Sequence, residues 1–108
     1  MKRTKLSEAD AFGSPITLTI SPTYTAIHVV PEGEKHLVTL MATNTDNAVA
    51  VEFFGHMGAG TDVLDHDCAP ESTILYMEDV MLVGPAGIRL TATVASRIRI
   101  SGHVKIVD

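Results

Sequence analysis

The C-terminal stretch Arg97-Ile-Arg-Ile-Ser-Gly-His-Val-Lys-Ile-Val107 decides the fold class. Ile98, Ile100, Val104 and Ile106 share one parity, while Arg97, Arg99, Ser101, His103 and Lys105 share the other. Successive side chains on a strand point to opposite faces, so a period of two reads as a strand with one face buried and one in water. Gly102 falls in an inward slot, which points to a bulge or to the close approach of another backbone.

The same habit runs backwards through the chain. Ile88, Leu90, Ala92 and Val94 alternate with Arg89, Thr91 and Thr93, after a turn at Gly84-Pro-Ala-Gly87. STILYMEDVMLV (72–83) holds one or two strands around the polar pair Glu78–Asp79. HLVTLMATN (36–44) is apolar on both faces. Its exit, Asn44-Thr-Asp-Asn47, is turn chemistry, because Asn and Asp side chains bond their own main chain. AVAVEFF (48–54) follows, so the two segments read as a hairpin. YTAIHVV (24–30) sets Ile27 and Val29 against Ala26, His28 and Val30, and in PITLTI (15–20) Ile16, Leu18 and Ile20 alternate with threonines. Seven or eight short strands with frequent turns predict an all-β protein. The expected architecture is a single antiparallel β-sandwich, jelly-roll or immunoglobulin-like.

A chain of 108 residues has room for one core. Residues 15–108 are assigned to the β-sandwich domain and residues 1–14 to an extended N-terminal arm. Lys2, Arg3 and Lys5 place three of the eight Lys and Arg residues in that arm, with Leu6 and Phe12 as candidate anchors on a partner. The start MKRTK is followed by LSEADAF rather than an apolar run, so no signal peptide is expected. A formal net charge of −5 argues against a nucleic-acid partner. No stretch approaches the roughly 18–20 apolar residues of a membrane helix, so no membrane contact is expected. The single Cys68 excludes an internal disulfide framework and a cysteine-built zinc site.

GHMGAGTDVLDHDCAPES (55–72) reads as a long loop, or as one hiding a short strand at 61–64. Gly55, Gly58 and Gly60 suggest a phosphate loop, but no Lys-Ser/Thr follows and no helix is available behind them. Asp62, Asp65, His66 and Asp67 offer metal-type donors without the spacing of an EF-hand, and read as a solvated acidic loop. The five histidines are scattered, with no metal-cupin HxH pair, and read as ordinary surface or satisfied groups. Ser72, His66 and Asp65 lack any nucleophile elbow. No cationic residue stands near Cys68 in the sequence to activate its thiol. No catalytic residue, cofactor or metal is therefore expected, and the protein reads as a non-enzyme. Trp is absent and aromatic residues are few, which weakens a sugar-binding reading.

Charge carries more information. Asp62, Asp65, Asp67, Glu71, Glu78 and Asp79 concentrate six of the thirteen acids in 62–79. Against them stand the basic arm and the outward stripe Arg97, Arg99, His103 and Lys105. This segregation suggests electrostatic docking, either between copies of the chain or onto an acidic partner, and complementary patches set register and encounter rate.

Two stretches resemble a known group. VPEGEKHLVTLMATNTDNAVAVEFFG (30–55) is similar to the turn–strand–turn–strand segment of small virion proteins of tailed bacteriophages. TILYMEDVMLVGPAGIRLTATVASRIRISGHVKIV (73–107) resembles their C-terminal ending, with its glycine turn and terminal Ile/Val strand. The resemblance implies a structural component of the virion, of the capsid cement (decoration) type. Such a protein sits on the outer capsid surface, assembles in the bacterial host cytoplasm, and binds the major capsid protein or other virion proteins. It is commonly a homo-oligomer, trimers included. Head–tail connector and tail-fibre subunits, and host-carbohydrate-binding modules, share such sandwiches and stand as alternatives.

Overall fold

The computed structural model describes residues 2–57 and 61–107, with backbone alone for 61–64. Through them run β1 (Lys2–Thr4), β2 (Ile16–Thr17), β3 (Thr25–Val30), β4 (Lys35–Asn44) and β5 (Val51–Met57), then β6 (Thr61–Cys68), β7 (Thr73–Val83), β8 (Ala86–Ala92) and β9 (Ile98–Val107). They form two antiparallel sheets packed as a β-sandwich. The first has the order β1-β9-β4-β7, with β2 also on β9; the second has the order β3-β8-β5-β6. No helix long and apolar enough to cross a membrane is present among the described residues.

Parity builds the core. Val38, Leu40 and Ala42 of β4 and Ile98, Ile100 and Val104 of β9 are fully buried. They meet Ile27, Val30, Val51, Phe53, Leu90 and Ala92 from the second sheet. Each large aliphatic or aromatic side chain so buried contributes about 1.5–3 kcal/mol. Gly102 is the close approach its slot implied. It pairs with Leu40 at φ 155°, and a Cβ there would run into the Thr39 carbonyl.

Four expectations are corrected. Residues 36–44 and 48–54 do not form a hairpin, because β4 and β5 belong to different sheets. Buried Asn44 turns the chain between layers: its Nδ2 donates to the Val49 and Cys68 carbonyls at 2.9 Å each, and its Oδ1 accepts from the Asp46 amide. The 55–72 loop is instead the end of β5 and a full strand β6, paired antiparallel over Val51↔Cys68 to Met57↔Thr61. Residues 2–14 do not project as an arm. Lys2–Thr4 pairs with β9, and Leu6 and Ala9 enter the core. Finally, a bulge between Ala26 and His28 resets the parity of β3. Val29 is therefore exposed, and His28 faces inward with Val30.

Candidate functional site

The outer face of the first sheet brings together two of the six basic candidates, Arg3 and Lys105. Across it, Met81, Leu37 and Lys105 align on β7, β4 and β9, and Lys105 in turn faces Arg3 of β1. The next row holds Thr39 and His103, and beyond it come Leu75, Met41 and Ser101. Along β7 and β4 the face carries apolar residues, Leu75, Met81 and Val83 about half exposed, interrupted by Thr39 and Asp79, and it is basic along β9 and β1. Arg3, His103 and Lys105 line an open depression with Thr39, Leu75, Glu78 and Asp79.

Asp79 sits at a bulge of the edge strand β7, with φ 48°. Its amide donates to Thr39 Oγ1 at 3.1 Å, and its carboxylate lies 3.4 Å from Lys105 Nζ. A charged bulge of this kind discourages indiscriminate edge pairing. Partial burial, followed by the fields of Arg3 and Lys105, pulls the pKa of His103 down, against an opposing contribution from Asp79. The ring of Phe12 stacks on His103, with centroids 6.2 Å apart and planes 12° from parallel, while Phe12 remains 57% exposed.

The other candidates scatter. Lys2 pairs with Ile106 on the sheet edge, and Arg99 lies between Thr43 and Thr17. Arg97 leaves the stripe to meet Asp46, Nε to Oδ2, at 3.1 Å. The Asp46 carboxylate accepts from the Ala48 and Val49 amides, which together with Arg97 hold it below the usual carboxylate range. Lys5 turns back on its own segment and donates to the Ala9 carbonyl at 2.8 Å. Leu6, expected to anchor a partner, is fully buried in its own core.

The acids do not form one patch. Glu78 and Asp79 share the first sheet with the basic rail, whereas Asp65 and Asp67 are exposed on β6 of the second sheet beside Glu52 and His66. The side chain of Asp62, like residues Gly58 and Gly60, lies outside the described residues. Ser72 Oγ donates to the Ala69 carbonyl at 2.7 Å, and the His66 ring packs near Tyr76 and Phe53. Burial and the nearby Asp65 charge push the Tyr76 hydroxyl up to about 12. Among the described residues, no three His, Cys, Asp or Glu side chains are grouped to hold a metal.

Alternation along β3 concealed a polar chain inside the sandwich. The Ser7 amide donates to His28 Nδ1 at 2.9 Å, His28 Nε2 lies 2.8 Å from His36 Nδ1, and His36 Nε2 lies 2.8 Å from Glu34 Oε1. One backbone amide sets every tautomer. Because Ser7 N–H can only donate, His28 Nδ1 accepts and its proton sits on Nε2. That proton is given to His36 Nδ1, so His36 carries its own on Nε2 and donates it to Glu34. His28 and His36 are 2% and 4% exposed. Burial first, then His36 and Lys5, lower the pKa of His28 to about 4. The signal available in the sequence was the position of His36, in the inward parity of Val38, Leu40 and Ala42.

On the opposite face of the molecule, Tyr24 packs on His56 at 4.8 Å and edge-on to Phe54 at 6.3 Å. Comparisons with protein-family models, curated proteins and solved structures each return no match.

Proposed function

We propose that this protein is a non-enzymatic structural component of a bacteriophage particle, a cement protein that binds the outer capsid and stabilises contacts between capsid subunits. The observation that carries the reading is the outer face of the first sheet, where half-exposed apolar residues of β4 and β7 flank a charged centre of Asp79, Arg3 and Lys105. An apolar patch rimmed by charge suits adhesion to a protein surface, with the charges setting register. The likeness of residues 30–55 and 73–107 to small virion proteins supplies the class of partner, the major capsid protein or another virion subunit.

Self-association fits the same picture. Lys2 and Arg3 lie on β1 at one edge of the first sheet, whereas Asp65 and Asp67 lie on β6 at an edge of the second, where His66 packs near Tyr76 of β7. Copies related by rotation in a ring, a trimer included, set one edge toward the other, and many weak contacts add up on a symmetric shell. The test is electron microscopy of the particle encoded alongside this chain, with purified protein added to undecorated capsids. Regular density on the outer shell is expected. Absence from the particle, or density confined to neck or tail, overturns the cement reading.

The Tyr24–Phe54–His56 cluster favours a second reading, a module that binds host carbohydrate on a tail fibre. Glycan-array binding abolished by Tyr24→Ala would support that reading over the first.

A further inference from the structure

We propose that residues 2–14 form an acid-released strap, held on the sandwich by the Ser7–His28–His36–Glu34 chain and let go when that chain takes up a proton. The coupling acts at Ser7, against the strap's other holds, the β1–β9 pairing and buried Leu6. Ser7 is tied to β3 by two bonds: its amide to His28 Nδ1, and its Oγ as acceptor from the Val29 amide at 2.8 Å. Every nitrogen of the histidine pair is already committed. A proton added at His28 Nδ1 faces the Ser7 N–H, and that bond is lost. A proton added at His36 Nδ1 either opposes the His28 Nε2–H or forces His28 into its other tautomer, with its hydrogen again aimed at Ser7. The low pKa of His28, about 4, is the reverse side of this arrangement. Once the strap is away, the ring meets water and takes protons near its ordinary value of 6.5.

The surroundings add to the effect. Lys5 of the strap is the cation facing His28, so a charged imidazole also repels the segment it holds. Glu34 approaches from the turn between β3 and β4, at the far end of the chain. The strand partners of the two rings, Ile88 on β8 for His28 and Leu82 on β7 and Ile106 on β9 for His36, carry no titrating group. Release bares the β9 edge now covered by Lys2–Thr4 and the apolar seat of Leu6.

Hydrogen exchange of the full chain, read by mass spectrometry as protection factors, tests this. Between pH 7.5 and pH 5, protection of the Ser7 and Ala9 region is expected to fall by roughly 30-fold, the ratio set by pKa values of about 4 and 6.5. The middle of β4, which opens only with the whole fold, is expected to stay far better protected than the strap at both pH values. In His28→Asn, whose side-chain oxygen can accept from Ser7 but does not titrate, the pH dependence of the strap disappears. Unchanged strap protection, strap protection equal to that of β4 at both pH values, or the same fall in H28N each overturns the proposal. Nitrogen-15 NMR of the unaltered protein gives an answer that needs no variant. A His28 Nε2–H tautomer at pH 7.5, and a titration midpoint shared with the strap amides, are expected; an Nδ1–H tautomer or separate midpoints refute it.

Discussion

His28 stands on the second sheet and His36 on the first, yet their rings meet at 2.8 Å across the sandwich interior. This polar bridge is tolerable because each ring nitrogen has a partner, ending at the Glu34 carboxylate and the Ser7 amide. An unpartnered buried nitrogen would cost about 1–3 kcal/mol.

Acid destabilises the folded protein through His28. Its folded pKa of about 4 lies below the ordinary 6.5. Between those values the unfolded chain binds the extra proton and the native one does not. The stabilisation is complete above pH 6.5 and is lost as pH falls toward 4. Urea unfolding at pH 7.5 and at pH 5 is expected to differ by about 2 kcal/mol from this residue, a difference that His28→Asn removes.

Leu6→Ala removes a fully buried side chain from the strap. An appended arm would leave stability unchanged, whereas an integral core residue costs about 2–5 kcal/mol. Chemical denaturation should return the larger value.

Gly102→Ala drives a methyl group into the Thr39 carbonyl on the central strand β4. Backbone must shift to accept it, and a loss of roughly 1–3 kcal/mol is expected, seen as a lower thermal midpoint.

Asn44→Ala strands the Val49 and Cys68 carbonyls and the Asp46 amide at the crossing between sheets. About 2–4 kcal/mol should be lost in urea unfolding, since three hydrogen bonds go and buried groups are left unpaired.

Arg3→Glu combined with Lys105→Glu reverses the rail on the first sheet. Thermal stability should change little, because exposed pairs such as Lys105–Asp79 contribute about 0–1 kcal/mol. Binding to capsids, measured by co-sedimentation, should weaken at least about tenfold and lose most of its salt dependence.

Wherever one face of a strand meets the core and the other meets water, the fold was legible. The alternation of Ile98, Ile100 and Val104 with Arg99, Ser101 and His103 alone declares β9, and Gly102 announces the close approach to β4. β6 hid because its three aspartates carry weak strand preference, and pairing with β5 overrides it. On the surface, Arg3 and Lys105 could be picked out as basic residues, but nothing in their spacing showed that Asp79 would lie beside them.

Local chemistry, then, determined an all-β chain with its turns and most of its inward residues, because side-chain period and turn preference act over a few neighbours. Tertiary structure alone decided which sheet each strand joined, that the N-terminal segment plugs the core with Leu6, and that His28 points inward to His36. Each of these depends on partners distant in sequence, or on a one-residue bulge that inverts every later side chain, and a period of two carries no record of either.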